Sequence, residues 1–196
     1  MTPEQGSDLR ADARSNRDQI LLTALEVFAE RGTDVPMKYI ADRAGVGVGT
    51  LYRRFPDRDA LLIATARAHL DRLADMAETA VAEESTAWAA LCRFVRECLI
   101  LRLGALADAI EPAVHTMVRS EPRVSEIRAR VTDALTDLVG RAQQDGDLRH
   151  DIDAGLIGLI MTTRVHTQPG ESNTTAVDRL LPILVDGLRA RGPSAG

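Results

Sequence analysis

Hydroxyl and cationic side chains are concentrated in one short stretch of the sequence, Gly47–Phe55, where Thr50, Tyr52 and two consecutive arginines follow a pair of glycines. Such groups donate hydrogen bonds to phosphate oxygens, and arginine adds positive charge. The surrounding segment 31–58 carries six Lys and Arg against three Asp and Glu, although the whole chain has a net charge of −5. A basic patch inside an acidic protein predicts contact with a polyanion.

The elements that present this stretch follow from its prolines, glycines and apolar residues. A short helix from Pro36 to Ala44, a turn at Gly45–Gly47 and a second helix to about Phe55 form a predicted helix-turn-helix. Proline suits the first helical position because its missing N–H would be unpaired there. Leu51 and Phe55 lie four residues apart, so we expect them to anchor the buried face of the second helix.

The opposite face of this second helix has the size and chemistry to enter the major groove of DNA, which is about 12 Å wide. The glycines keep the start of the helix thin, Val48 suits a thymine methyl group, and Thr50 can reach base edges. Tyr52 and Arg53 are better placed for phosphate oxygens. The predicted DNA-contacting residues of this helix are Gly47, Val48, Gly49, Thr50, Tyr52, Arg53 and Arg54.

The rest of the chain consists of long amphipathic segments that proline and glycine interrupt, with almost no strand alternation. The sequence therefore predicts an all-α fold with an N-terminal helix-turn-helix domain and a helical C-terminal domain. We expect a flexible arm at 1–13, the DNA-binding domain at 14–56 and the second domain at 57–192. The predicted helices cover about 15–30, 36–44, 48–55, 57–83, 86–102, 103–110, 112–119, 122–144, 152–167 and 175–191.

The stretch from about Asp18 to Leu62 resembles the tetracycline-repressor (TetR/AcrR) family of bacterial regulators. The resemblance rests on ILLTALEVFAERG and on MKYIADRAGVGVGTLYRRFPDRDALL, in which AGV, GTLY, Phe-Pro and an Asp-Arg-Asp-Ala-Leu helix start occur in order. It implies three N-terminal helices for DNA, a connecting fourth helix, and a variable helical half that binds a small effector and forms a homodimer. The tail LLPILVDGLRA resembles one subgroup of these regulators.

The resemblance also places five residues where family members commonly contact DNA: Lys38, Thr50, Tyr52, Arg53 and Arg58. The chain departs from the family pattern at two points. Gly47 stands where many members have a capping Ser or Thr, followed by the apolar Val48 in place of a polar residue. Val35-Pro36 replaces the Thr that often starts the second helix, so one expected phosphate contact is in doubt.

An effector pocket is expected in the C-terminal half, although Met and aromatic stripes are more often simple core. His115 with Arg119, and His166 near Arg164, are candidate anion-binding pairs, with structural histidines as the alternative. The predicted pocket residues are Trp88, Leu91, Cys92, Val95, His115, Met117 and Val118.

The last two long helices carry broad apolar faces, and glycines allow them to approach another helix closely. They either complete the core of one subunit or form a two-fold four-helix interface, and the family resemblance favours the interface. The predicted interface residues are Gly155, Leu156, Leu159, Ile160, Val177, Leu180, Leu181, Leu184 and Leu188.

Other classes of function receive little support from the sequence. Cys92 and Cys98 point to different sides of one helix, which predicts reduced thiols. No apolar stretch has the length of a membrane span, no secretory signal is recognisable, and the default location is cytoplasmic. The histidines and cysteines lack metal-ligand spacing, and no nucleophile motif or phosphate loop predicts an enzyme. We therefore expect no catalytic residue, metal or cofactor.

The sequence thus predicts a homodimeric, ligand-responsive regulator, more plausibly a repressor than an activator, that binds a near-palindromic DNA operator. The effector is an unidentified small molecule. Two alternatives stay open at this point: an enzyme using His115, His166 or a carboxylate pair, and a helix-turn-helix protein that binds only protein partners. The second alternative predicts no salt-dependent affinity for DNA, whereas binding through phosphates weakens steeply with salt.

Overall fold

The computed structural model describes residues 3–101 and 120–190, with side chains from Asn16 onward. These residues form eight helices and no strand, which agrees with the predicted all-α fold. The helices are α1 (Pro3–Arg31), α2 (Met37–Arg43), α3 (Val48–Arg54), α4 (Arg58–Glu83), α5 (Ala87–Ile100), α6 (Pro122–Gln144), α7 (Ala154–Met161) and α8 (Asn173–Leu188).

Contacts group the described residues into two compact units. The first unit contains residues 3–69 and 120–124, and the second contains 70–101 and 125–190. The helices predicted at 103–110 and 112–119 lie outside the described residues.

Helix α1 buries the apolar side chains that its sequence pattern predicts. Ile20, Ala24 and Phe28 are fully buried, and Gly32 ends the helix with a positive φ of 80°. The predicted start at about Ser15 is wrong, because the helix begins at Pro3. The segment 3–13, predicted as a flexible arm, therefore has a helical backbone.

Helices α2 and α3 meet across the turn 44–47. Pro36 stands immediately before α2, and Gly45 adopts a φ of 68°, a conformation that a side chain would disfavour. The N–H of Val46 donates to the carbonyl of Ala41 at 3.0 Å, which closes the turn. Helix α2 packs against both α1 and α3, so the helix-turn-helix rests on the first helix.

Asp57 caps the start of α4, as its position predicts. The backbone N–H of Ala60 donates to Asp57 Oδ1 at 2.7 Å. The helix then continues without a break to Glu83.

The core of the second unit is built around α5. Thr86 caps the N-terminus of this helix, because its side-chain oxygen accepts a hydrogen bond from the N–H of Ala89 at 3.1 Å. Helices α7 and α8 both pack on α5. A hydrogen bond joins the loop before α7 to the end of α8: the N–H of Arg149 donates to the carbonyl of Leu188 at 3.1 Å. Both cysteines are free, as predicted.

Helix α7 is shorter than the predicted 152–167. Asp153 caps it by accepting from the N–H of Leu156 at 2.7 Å, and the helix ends at Met161. Residues 162–172 form a loop in which Gly170 has a φ of 82°. The apolar pattern predicts the start of this helix but overestimates its length.

Candidate nucleic-acid interface

One face of α3 is buried and the opposite face is open to solvent. Leu51 is fully buried, whereas Val48 is 42% exposed and Tyr52 is 48% exposed. Gly47, which caps the helix without a side-chain hydrogen bond, and Gly49 are also exposed. The slim first turn and its apolar side chain therefore lie on a surface that can approach another molecule closely.

Arg53 and Thr50 are joined on this surface. Arg53 Nη2 donates to Thr50 Oγ1 at 3.0 Å, one turn apart on the exposed side of α3. The hydrogen bond restricts the guanidinium to the solvent side of the helix. Arg54 is half-buried in the last turn of α3, where its positive charge interacts favourably with the negative end of the helix dipole.

Two of the predicted DNA-contacting cations are already paired within the chain. Lys38 Nζ lies 2.8 Å from Asp42 Oδ2 on the surface of α2. Arg58 Nη1 donates to the carbonyl oxygen of Thr33 at 3.0 Å and to Asp34 Oδ1 at 3.1 Å. Arg58 therefore joins the start of α4 to the turn between α1 and α2.

Arg43 is a basic residue of this surface that the sequence analysis did not select. Its guanidinium donates to Tyr39 Oη at 3.4 Å and lies 3.9 Å from Glu30 Oε2. These neighbours raise the pKa of Arg43, and its hydrogen bond to Tyr39 is the main cause. The count of basic residues across 31–58 includes Arg43, but no motif singles it out.

Most of the predicted pocket residues that the structure describes belong to the core of the second unit. Trp88, Leu91 and Val95 are buried in that core, and Cys92 is half-buried beside it. Burial raises the pKa of the Cys92 thiol to about 11. The other three predicted pocket residues, His115, Met117 and Val118, lie outside the described residues.

A cavity of about 310 Å³ lies elsewhere in the second unit, between α4, α6 and α7. None of the four described pocket candidates, Trp88, Leu91, Cys92 and Val95, lines it. Gly155, predicted at a subunit interface, lines this cavity together with Gly158. Sequence periodicity marked the glycines as sites of close approach but did not show which side of α7 they occupy.

The predicted interface residues divide into three groups by exposure. Leu159 is 65% exposed, Leu156 is 39% exposed and Gly155 is also exposed, whereas Val177 is fully buried and Leu188 nearly so. Val177 and Leu188 belong to the core of the second unit. The half-buried group consists of Ile160, Leu180, Leu181 and Leu184.

Ile183 on α8 is 71% exposed and was missed by the sequence analysis. It lies three residues beyond Leu180, with which it lines a second cavity of about 380 Å³. The helical spacing from Leu180 was the signal that would have found it.

Within 3–101 and 120–190, no three His, Cys, Asp or Glu side chains come together in a way that would hold a metal ion. Across the same ranges, no helix combines the length and apolar character needed to cross a membrane.

A short helix that presents an exposed face at the end of a glycine turn, beside a second helix, defines a helix-turn-helix DNA-binding protein. Residues 20–65 match the family described as bacterial regulatory proteins of the tetR family. Residues 85–190 match the C-terminal domain of SbtR-like transcriptional regulators. This chain belongs to the TetR family of DNA-binding transcriptional regulators, which are not enzymes.

Solved structures of similar proteins extend over nearly the whole chain. A TetR transcription regulatory protein from Mycobacterium vanbaalenii is 33% identical, with a TM-score of 0.68, and the match covers 93% of this chain and 99% of that one. A TetR transcriptional regulator from Streptomyces coelicolor is 34% identical, with a TM-score of 0.64, over 90% of this chain and 99% of its own.

The match to one curated relative covers a shorter stretch. A helix-turn-helix transcriptional regulator of Staphylococcus aureus is 40% identical over 82 residues, which are 40% of this chain and 42% of that protein. This chain thus matches about two fifths of the length of that relative.

Proposed function

We propose that this regulator is a repressor that binds a near-palindromic operator as a homodimer and is released by a small-molecule effector. The observation that carries the proposal is the exposed face of α3, where Val48 and Tyr52 are open to solvent while Leu51 is buried. In a two-fold dimer, two such helices enter successive major grooves about 34–36 Å apart.

Some residues of α3 contact base edges and others bind phosphate oxygens. Val48 contacts a thymine methyl, and Gly49 lets the backbone approach the base edges. Tyr52 and Arg53 donate to phosphate oxygens, which fix the register of the helix on the duplex. Arg54 adds positive charge at the end of the helix.

Lys38 and Arg58 contribute differently from α3. The exposed pair of Lys38 with Asp42 costs little to break, so Lys38 can exchange its carboxylate for a phosphate. Arg58 keeps its bond to the Thr33 carbonyl and supports the helix-turn-helix from behind.

The homodimer forms through the exposed apolar side chains of α7 and α8. Leu156 and Leu159 on α7 and Ile183 on α8 are exposed in the single chain. Large apolar side chains of this kind are covered in obligate dimers, whose interfaces resemble a protein core.

Release by the effector operates through α4, which continues unbroken from Arg58 to Glu83. A ligand that binds the second unit more tightly in one conformation shifts the population toward that conformation. The accompanying movement of α4 changes the separation of the paired α3 helices and lowers affinity for the operator.

A gel shift with the DNA upstream of the protein's own gene tests DNA binding. We expect Arg53→Ala to weaken binding and to lower the salt dependence by about one counterion, because one phosphate contact is lost. Arg72→Ala, at an exposed position of the second unit, is the matched control and should bind as the wild type does. If the two variants bound DNA with equal affinity, α3 would not be part of the DNA-binding interface.

Deletion of the gene tests the direction of regulation. A repressor predicts higher transcription from the bound promoter after deletion and its return to the original level when the gene is restored. Lower transcription after deletion would show an activator.

A further inference from the structure

The cavity between α4, α6 and α7 has a mostly apolar lining with one cationic side chain. Among the described residues that line it, Arg128 is the only one with a formal charge. The apolar side chains of the lining belong to Leu70, Leu73, Val131, Leu135, Ala154 and Met161.

The hydroxyl groups of the lining already use their hydrogens within the protein. Thr132 Oγ1 donates to the carbonyl of Arg128 at 2.9 Å, and Thr162 Oγ1 donates to the carbonyl of Leu159 at 3.0 Å. Among the described lining residues, Arg128 is the remaining side-chain donor that a ligand could use. Arg128 also interacts within the protein, and its five N–H groups are enough to keep such an interaction and hold a carboxylate by two parallel bonds.

The size of the cavity limits what it can take. About 310 Å³ is at the small end of the range of about 300–1,000 Å³ for ligand pockets. At about 30 Å³ for each water-sized group, it holds roughly ten non-hydrogen atoms. We propose that this cavity is the effector site and takes a small, mainly apolar organic anion whose charged group binds Arg128. The regulatory meaning of the site rests on the function proposed above, but its ligand preference does not.

Gly158 offers a way to fill the cavity without disturbing its walls. A Cβ atom added at Gly158 meets no described atom within 4 Å beyond its chain neighbours and the backbone of its own helix. At the neighbouring Gly155, an added Cβ would lie 3.2 Å from Asp153 Oδ1, the cap of α7. Gly158 is therefore the position for a blocking side chain.

Calorimetric titration of the full-length protein without DNA tests the ligand class. The probes are octanoate, 3-phenylpropanoate and the neutral octanamide, which has the size of octanoate. We expect at least one carboxylate to bind, and octanoate to bind about tenfold or more tightly than octanamide, because hydrogen bonds between charged groups are stronger. Failure of both carboxylates to bind at millimolar concentration, or equal affinity for octanoate and octanamide, would overturn the proposal.

The Arg128→Gln variant distinguishes the contribution of the positive charge to ligand affinity from the contribution of the shape of the cavity. This variant should lose about tenfold or more of its carboxylate affinity and keep its weak affinity for octanamide. Arg130→Gln is the matched control on the same helix, because Arg130 pairs with Glu78 and does not line the cavity. A similar loss in both variants would show a general charge effect and exclude Arg128 as the anchor.

The Gly158→Leu variant tests whether the ligand binds inside the cavity. It should abolish carboxylate binding while the circular dichroism spectrum and operator affinity stay unchanged, and Gly158→Ala should give a smaller loss. Gly140→Leu on α6, where an added Cβ also meets nothing within 4 Å, is the control and should bind the carboxylate normally. If Gly158→Leu fails to fold, Gly158→Ala decides, and unchanged carboxylate affinity in Gly158→Ala overturns the location.

A gel shift with the same carboxylates separates this site from the proposed function. Carboxylate binding that depends on Arg128 but does not release DNA would support the site and contradict effector release. Release of DNA that is identical in wild type, Arg128→Gln and Gly158→Leu would support the regulator and overturn the site.

Discussion

Arg58 and Lys38 are both cations of the helix-turn-helix unit, but their surroundings give them different roles. Lys38 reaches only the carboxylate of Asp42, and both side chains are largely exposed. Arg58 also donates to a backbone carbonyl, that of Thr33, which lies 25 residues earlier in the chain. A bond between distant parts of the chain stabilises the unit, whereas a surface pair within one helix contributes little.

Arg58→Ala should therefore lower the free energy of unfolding by about 1 kcal/mol, the contribution of one hydrogen bond of this type. Lys38→Ala, the control, should change it by less than about 0.5 kcal/mol. Urea denaturation followed by circular dichroism measures both values. Equal values for the two variants would contradict the supporting role of Arg58.

Cys92 illustrates how burial controls chemistry at a single residue. Desolvation raises the pKa of its thiol to about 11, above the ordinary value of about 8.5. The thiolate is the reactive form, so its fraction at pH 8 falls by more than about a hundredfold. We expect iodoacetamide to alkylate Cys92 far more slowly than free cysteine at pH 8, at a rate that still rises above pH 10.

Mass spectrometry of the folded protein measures this rate. The same protein in denaturant is the control and should react as free cysteine does. Rapid alkylation of folded Cys92 at pH 8 would show that its environment is not the desolvated one described above.

The helix-turn-helix contains two glycines with different roles, one in the turn and one in α3. Gly45 has a φ of 68°, whereas Gly49 lies in the first turn of α3 with nothing within 4 Å of an added Cβ. Gly45→Ala should destabilise the protein by about 1–2 kcal/mol, because it forces a side chain into a left-handed conformation.

Gly49→Ala is the matched comparison. It should leave stability unchanged or raise it by up to about 1 kcal/mol, since alanine favours a helix. It should nevertheless weaken DNA binding, because the new methyl group occupies the thin edge of α3. Thermal unfolding and a gel shift measure the two effects, and a loss of stability with unchanged DNA affinity would contradict this assignment.

The sequence predicted the helix-turn-helix well because local signals set its boundaries. Pro36 and Gly45 mark where α2 begins and ends, and the spacing of Leu51 and Phe55 marks the buried face of α3. Each of these signals acts over a few residues, so tertiary packing does not override it.

The C-terminal half was harder to predict because an apolar pattern does not say what covers it. Val177 and Leu159 were both predicted at an interface, and the structure places Val177 fully buried and Leu159 65% exposed. Trp88 packs in the core of the second unit, while Arg128 lines the cavity and carried no sequence signal. Only the arrangement of helices decides between these outcomes.

The exposed apolar residues of α7 and α8 are expected to form the interface of a dimer. Leu159→Asp places a charge in the proposed interface and should convert the protein to a monomer of 21.3 kDa, half the mass expected for the wild-type dimer. Light scattering after gel filtration measures the mass.

Leu22→Asp is the matched control, because Leu22 is 44% exposed on α1 in the other unit. This variant should keep the mass of the dimer. A dimeric Leu159→Asp variant, or a monomeric wild type, would contradict the proposed interface.

We propose that two copies of α3, held by a symmetric dimer, read successive major grooves. Hydroxyl-radical footprinting of the DNA upstream of the gene measures this arrangement directly. We expect two symmetric protected patches whose centres lie about 10–10.5 base pairs apart, or a multiple of that spacing. A single patch, or two patches that persist when Tyr52 and Arg53 are both replaced by alanine, would contradict it.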